Sequence, residues 1–117
     1  LMGYPTGLEA LMAKADPATV RRLMAADIPD EYVLVDRIAA LGLIRPATTR
    51  GFLADVQRHQ VTYDALTTAG GSGGPVLSTE GKVIAINYAV LRQFAGSSFG
   101  IPAQLAASLL DAAKRTR

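Results

Sequence analysis

Apolar positions near the start of the chain fall at helical spacing. Val20, Leu23 and Met24 stand at i, i+3 and i+4, on one face of a helix. Asp16-Pro17 ahead of them is a start signal, with Asp as N-cap and Pro at the first helical position. The pattern predicts a helix from Pro17 to about Ala26, closed by Ile28-Pro29-Asp30, and another before it from about Leu8 to Ala15. Met2 to Gly7 reads as a strand end entering a turn. From Tyr32 to Ile44 the chain is rich in Val, Ile and Leu, which predicts one long strand bulged near Ala39-Ala40. Between Thr48 and Val61, Phe52, Ala54 and Val56 alternate with Leu53, Asp55 and Gln57. That period of two predicts a half-buried strand.

A loop from Thr62 to Pro75 follows. Val76-Leu77-Ser78 is a short strand, and Thr79-Glu80-Gly81-Lys82 is a tight turn. Val83 to Val90 is the next strand, with Val83, Ala85 and Asn87 on one side and Ile84, Ile86 and Tyr88 on the other. Ser97 to Ile101 is the last. Pro102 opens a helix from Ala103 to about Lys114, whose expected inner stripe is Leu105, Leu109 and Ala112 with Leu110 beside it. Short strands at hairpin spacing with helices at the edges predict a mainly β fold, an antiparallel sheet or barrel. Strands and helices do not alternate, which disfavours a doubly wound parallel sheet.

A length of 117 residues suits one small domain, and 50% hydrophobic with 19% charged residues suits a packed core. The chain has no cysteine, which excludes disulfides, thiolate metal sites and a cysteine nucleophile. With His59 as the single histidine, no metal site and no cofactor is expected. Apolar stretches are too short to span a membrane, and no signal peptide is visible. The first residue is Leu1 rather than Met, so a piece of a longer protein is expected. Net charge is +2, and Lys114, Arg115 and Arg117 crowd the C-terminus. Cations there favour the negative end of a helix dipole. A nucleic-acid partner is not expected, because no aromatic residues interleave with the cations and Asp36, Asp55 and Asp64 oppose a basic face.

Gly70-Gly71-Ser72-Gly73-Gly74-Pro75 carries the chemical content. As a flexible linker it is short, lies mid-chain and ends abruptly in Pro75 and a strand. As a phosphate-binding loop it lacks the Lys and the following helix. As a hydrolase elbow, Gly70-x-Ser72-x-Gly74 lacks the buried strand before and the helix after. The fourth reading is a nucleophilic serine on an antiparallel barrel. Flanking glycines open backbone conformations closed to other residues, so that the N–H groups of Gly70 and Ser72 can converge on one developing oxyanion.

The loop resembles the G-[DN]-S-G-G-P motif of trypsin-fold serine proteases, in particular the bacterial Deg/HtrA-type peptidases. Tyr63-Asp64-Ala65 resembles the T-D-A segment ahead of that motif. Pro75-Val76-Leu77 and Gly81-Lys82-Val83-Ile84-Ala85-Ile86-Asn87 resemble its G-G-P-[LV]-[VL]…G-x-V-[IV]-G-[IV]-N run. Ser98-Phe99-Gly100-Ile101-Pro102 resembles its G-F-A-I-P, and Gly3-Tyr4-Pro5-Thr6-Gly7 its G-x-P-x-G.

The resemblance implies a single domain over residues 1–117, a Greek-key β-barrel that forms the C-terminal lobe of a double barrel. Residues 8–30 would be a helical insertion and 103–115 a C-terminal helix. It implies Ser72 as nucleophile, an oxyanion hole from Gly70, Gly71 and Ser72, and substrate contacts from Leu66, Thr68, Ser98, Phe99 and Gly100. The general base and its Asp would come from a preceding N-terminal lobe, and His59 matches no such base. Leu66, six residues before the serine, disfavours a basic P1 residue. Gly71 stands where the family has Asp or Asn. The expected partners are a protein or peptide substrate, the other lobe, and further copies of the chain through the uncovered apolar face. The resemblance points to a periplasmic or cell-envelope setting. A serine endopeptidase, inactive as this chain alone, is the expected function; a degenerate pseudo-protease that binds peptides is the alternative.

Overall fold

A computed structural model describes residues 1–4, 7–67, 69–91, 93 and 97–116. Three helices follow a first short strand, β1 Met2–Gly3: α1 Leu8–Met12, α2 Pro17–Ala25 and α3 Glu31–Ala40. The Asp16 carboxylate caps α2, accepting from the Thr19 N–H at 3.0 Å and from the Thr19 hydroxyl at 2.6 Å. These hydrogen bonds hold the Asp16 carboxyl below its usual range, the one from the Thr19 side chain most strongly.

The expected long strand from Tyr32 to Ile44 is helical instead. Asp30 caps α3 through the Val33 N–H at 3.0 Å. Gly42 (φ 68) ends it in the left-handed conformation, with its N–H on the Ala39 carbonyl and the Leu43 N–H on that of Ile38. Leu34 and Ile38, one helical turn apart, meet Leu11, Leu23 and Leu43 in a helical core in which Ile38 is 1% exposed. That period-3.6 burial outweighs the strand preference of Val33, Val35 and Ile38. The helical segment therefore runs to Ala40, past the expected boundary at residue 30.

The strands are β1 Met2–Gly3, β2 Ala47–Thr48, β3 Leu53–Val56, β4 Val61–Tyr63, β5 Pro75–Leu77, β6 Val83–Leu91 and β7 Ser97–Pro102. β1 pairs with β2, and a second sheet runs β3-β4-β7-β6-β5, every neighbour antiparallel. Val61, Tyr63, Ala65, Val76 and Ala85 make its core. Gly100 lets β7 lie close, since a Cβ there would stand 2.9 Å from the Ala85 Cβ and 3.2 Å from the Tyr63 ring.

Two expectations of burial fail. The stretch from Thr48 to Val61 is broken into β2 and β3, and Phe52, Leu53 and Val56 are exposed because β3 is the outer strand. The C-terminal helix α4, Ala103–Arg115, forms as expected, yet Leu105, Leu109 and Leu110 are exposed.

Candidate active site

Ser72 stands in the glycine run between β4 and β5. The Gly74 N–H donates to the Gly71 carbonyl at 3.1 Å and Gly73 has φ 83, the arrangement of a type II turn with Ser72 at its first corner. Gly70, at φ 89, gives the run a second position that favours glycine. Gly71 is buried while Ser72 and Gly73 face solvent. The loop is fastened to β6 by two backbone bonds, Gly73 N–H to the Asn87 carbonyl at 2.7 Å and Asn87 N–H to the Gly74 carbonyl at 2.9 Å.

Asn87 is 1% exposed and uses every polar atom it has. Its Oδ1 accepts from the Tyr63 hydroxyl at 2.5 Å. Its Nδ2 donates to the Gly71 carbonyl at 2.9 Å and to Thr67 Oγ1 at 3.2 Å. Tyr63 is buried in the β core, and burial, with a smaller contribution from Tyr88, pushes its phenol up to about 12. The phenol therefore stays a neutral donor to Asn87 at any physiological pH.

Among the described residues the Ser72 hydroxyl reaches only the Tyr88 carbonyl, at 3.4 Å, long for an O–H···O bond. Among the described residues, neither the Gly70 N–H nor the Ser72 N–H has a hydrogen-bond partner. A cavity of about 300 Å³ opens beside Ser72, lined by Thr67, Ala69, Asn87, Tyr88, Ala89 and Val90.

The structure thus brings Gly70, Gly71 and Ser72 together in one loop. Of the other expected contact residues, Leu66, Ser98, Phe99 and Gly100 do not line the Ser72 cavity. Leu66 is exposed, and its carbonyl accepts from Thr49 Oγ1 at 2.6 Å. Ser98 is buried on β7, with its hydroxyl on the Ala65 carbonyl at 3.0 Å. Phe99 pairs with Thr62 and Ala89, and Gly100 sits against Ala85 and Tyr63. Thr68 lies outside the described residues. His59 is exposed between β3 and β4 and does not line the cavity.

Sequence reasoning missed the brace that Asn87 and Tyr63 provide. The available signal was a lone amide at an inward position of an otherwise apolar strand, which must find partners when buried. Among the described residues no group of three or more His, Asp or Glu side chains could hold a metal ion, and no helix is long and apolar enough to cross a membrane.

No family model and no solved structure matches the chain. Three curated relatives do. The chain is 35% identical over 82 residues to a Synechocystis protein named as the serine protease HhoB, covering 70% of this chain and 19% of that one. It is 29% identical over 121 residues to a Marinomonas protein named as a DegP-like periplasmic serine endoprotease, covering 93% and 26%. It is 37% identical over 73 residues to a Synechocystis protein named as the serine protease HhoA, covering 62% and 18%. The chain spans about a fifth to a quarter of the length of these relatives. By sequence, the chain is homologous to one segment of the DegP- and Hho-type serine proteases.

Proposed function

We propose that this chain bears the nucleophile of a serine endopeptidase that works by acyl transfer. The observation that carries the reading is the Ser72 turn: an exposed serine on a fastened glycine loop, with the Gly70 and Ser72 N–H groups uncommitted among the described residues. In the proposed reaction Ser72 Oγ attacks the peptide carbonyl carbon and a general base takes its proton. The oxyanion rests on the Gly70 and Ser72 N–H groups. The amine leaves with the proton, and water then releases the acyl group from Ser72.

The substrate strand would lie along β6 at Tyr88, Ala89 and Val90. There the pairing with β5 has ended at Ile86, and the Ser72 cavity opens instead. The order β4-β7-β6-β5, with the long Ser72 loop joining β4 to β5, supports a Greek-key barrel of the trypsin kind. The base and its orienting carboxylate would come from another lobe, because His59 stands outside the cavity. The chain alone is then expected to be inactive. The DegP-like relative named as periplasmic supports a periplasmic or envelope setting.

Gly71, in place of the side chain usual in that position, favours the second reading, a pseudo-protease that binds peptides without cleaving them. A fluorophosphonate probe separates the two in the complete gene product. An endopeptidase is labelled, and labelling vanishes with Ser72→Ala. A folded protein that takes no label is not a serine hydrolase.

A further inference from the structure

A trans peptide unit is planar, with its C=O and N–H pointing opposite ways. Whatever fixes the Gly71 carbonyl therefore aims the Ser72 N–H. Two donors fix that carbonyl, the Gly74 N–H at 3.1 Å and the Asn87 side-chain amide at 2.9 Å. The first belongs to the turn itself and moves with it. The second stands on β6, outside the loop.

The Asn87 amide is itself oriented from a third element. A primary amide presents two donors on nitrogen and acceptor lone pairs on oxygen, and its two ends are easily exchanged by rotation. The Tyr63 hydroxyl on β4 donates to Oδ1 at 2.5 Å, which selects the orientation that turns Nδ2 to Gly71 and Thr67. Tyr63 is 2% exposed and Asn87 1%, so water cannot substitute for either partner.

We propose that Asn87, oriented by Tyr63, is a positioning residue for Ser72: its amide pins the Gly71 carbonyl inward and so presents the Ser72 N–H outward as an oxyanion donor. This rests on the endopeptidase reading above. A loop this rich in glycine has many competing conformations, and the side chain at 71 that could limit them is absent. Asn87 supplies the restraint from outside.

The test is the rate constant of fluorophosphonate labelling at Ser72 in the complete gene product, separated from the extent of labelling. Unfolded molecules lower the extent; a misaimed N–H slows the rate. In Asn87→Asp an ionised carboxylate faces the Gly71 carbonyl, and in Asn87→Ala the donor from outside the loop is gone, leaving only the Gly74 N–H of the turn itself. Both are expected to label about 100-fold more slowly, in the range seen when an oxyanion donor is lost. Asn87→Asp recovers as pH falls and its carboxyl gains a proton to donate, whereas Asn87→Ala does not.

Tyr63→Phe keeps the ring and removes the orienting hydroxyl. It slows labelling by about 10-fold, and it serves as the test should both Asn87 variants misfold. A wild-type protein that labels at the same rate constant as its variants overturns the positioning role alone. A folded wild type that takes no label overturns the endopeptidase reading, and this inference with it.

Discussion

At Gly74 an added methyl carbon would collide with the Met2 carbonyl oxygen and stand 3.0 Å from that of Gly71. Both obstacles are backbone, so neither can swing away. Gly74→Ala is expected to destabilise the fold by about 1–3 kcal/mol, the cost of overpacking a rigid site, and to lower the extent of Ser72 labelling in step with the thermal midpoint. Calorimetry beside the labelling assay checks this. At Gly73 the space is open and the demand is conformational instead, because φ 83 disfavours any side chain. Two neighbouring glycines are thus required for unrelated reasons. The loop was legible in the sequence because so few structures need four glycines around one serine. Asn87 was harder to see, since its role depends on Tyr63, 24 residues earlier, and on a pairing that no local pattern reveals.

Secondary structure was legible wherever local chemistry and packing agreed. Asp16-Pro17 starts α2, Gly81 at φ 80 turns β5 into β6, and the alternation in β6 sets Ala85 and Asn87 on one face, where the structure buries both. It failed at α3, where Val33, Val35 and Ile38 favour a strand while Asp30, Glu31 and Gly42 mark helix ends. The end signals prevailed because Leu34 and Ile38 find a core only at helical spacing. The α2 cap gives a pH test. Its carboxyl is held low when folded, so the cap contributes above the ordinary carboxylate value of 3.8 and is lost as pH falls through the lower folded value. The difference in thermal midpoint between wild type and Asp16→Ala should therefore be constant near neutrality and shrink in strong acid.

The whole molecule carries more surface than its mass requires. It exposes 8504 Å², against about 6,100 Å² expected for a folded monomer of 12.3 kDa. Its radius of gyration is 17.5 Å, against about 13 Å for a domain of this length. Large apolar side chains contribute to the excess: Leu105, Leu109 and Leu110 on α4, Leu53 and Val56 on β3, and Phe52 just before it. A surface of that character is suited to another lobe or another copy. Sedimentation of the isolated chain should give species above monomer mass, and replacing Leu105 and Leu109 by Gln should shift the distribution towards monomer. A sharp monomer boundary for the unaltered chain would refute this.

The pairing of β1 with β2 brings Met2 opposite Thr48 and Gly3 opposite Ala47, with the helical core lying wholly between them in sequence. Closing so long a loop from a disordered chain carries an entropic cost that must be met before the strands gain anything. Helices form and dock early, because their contacts are local. Residues 8–43, folded first, would shorten the search for β1, the strand against which Gly71 and Gly74 rest. The expected order of events is the helical core, then β1 against β2, then the serine loop. Ile38→Ala, far from Ser72, should slow refolding as followed by stopped-flow fluorescence of the tyrosines, while a substitution on exposed α4 such as Ser108→Ala should not.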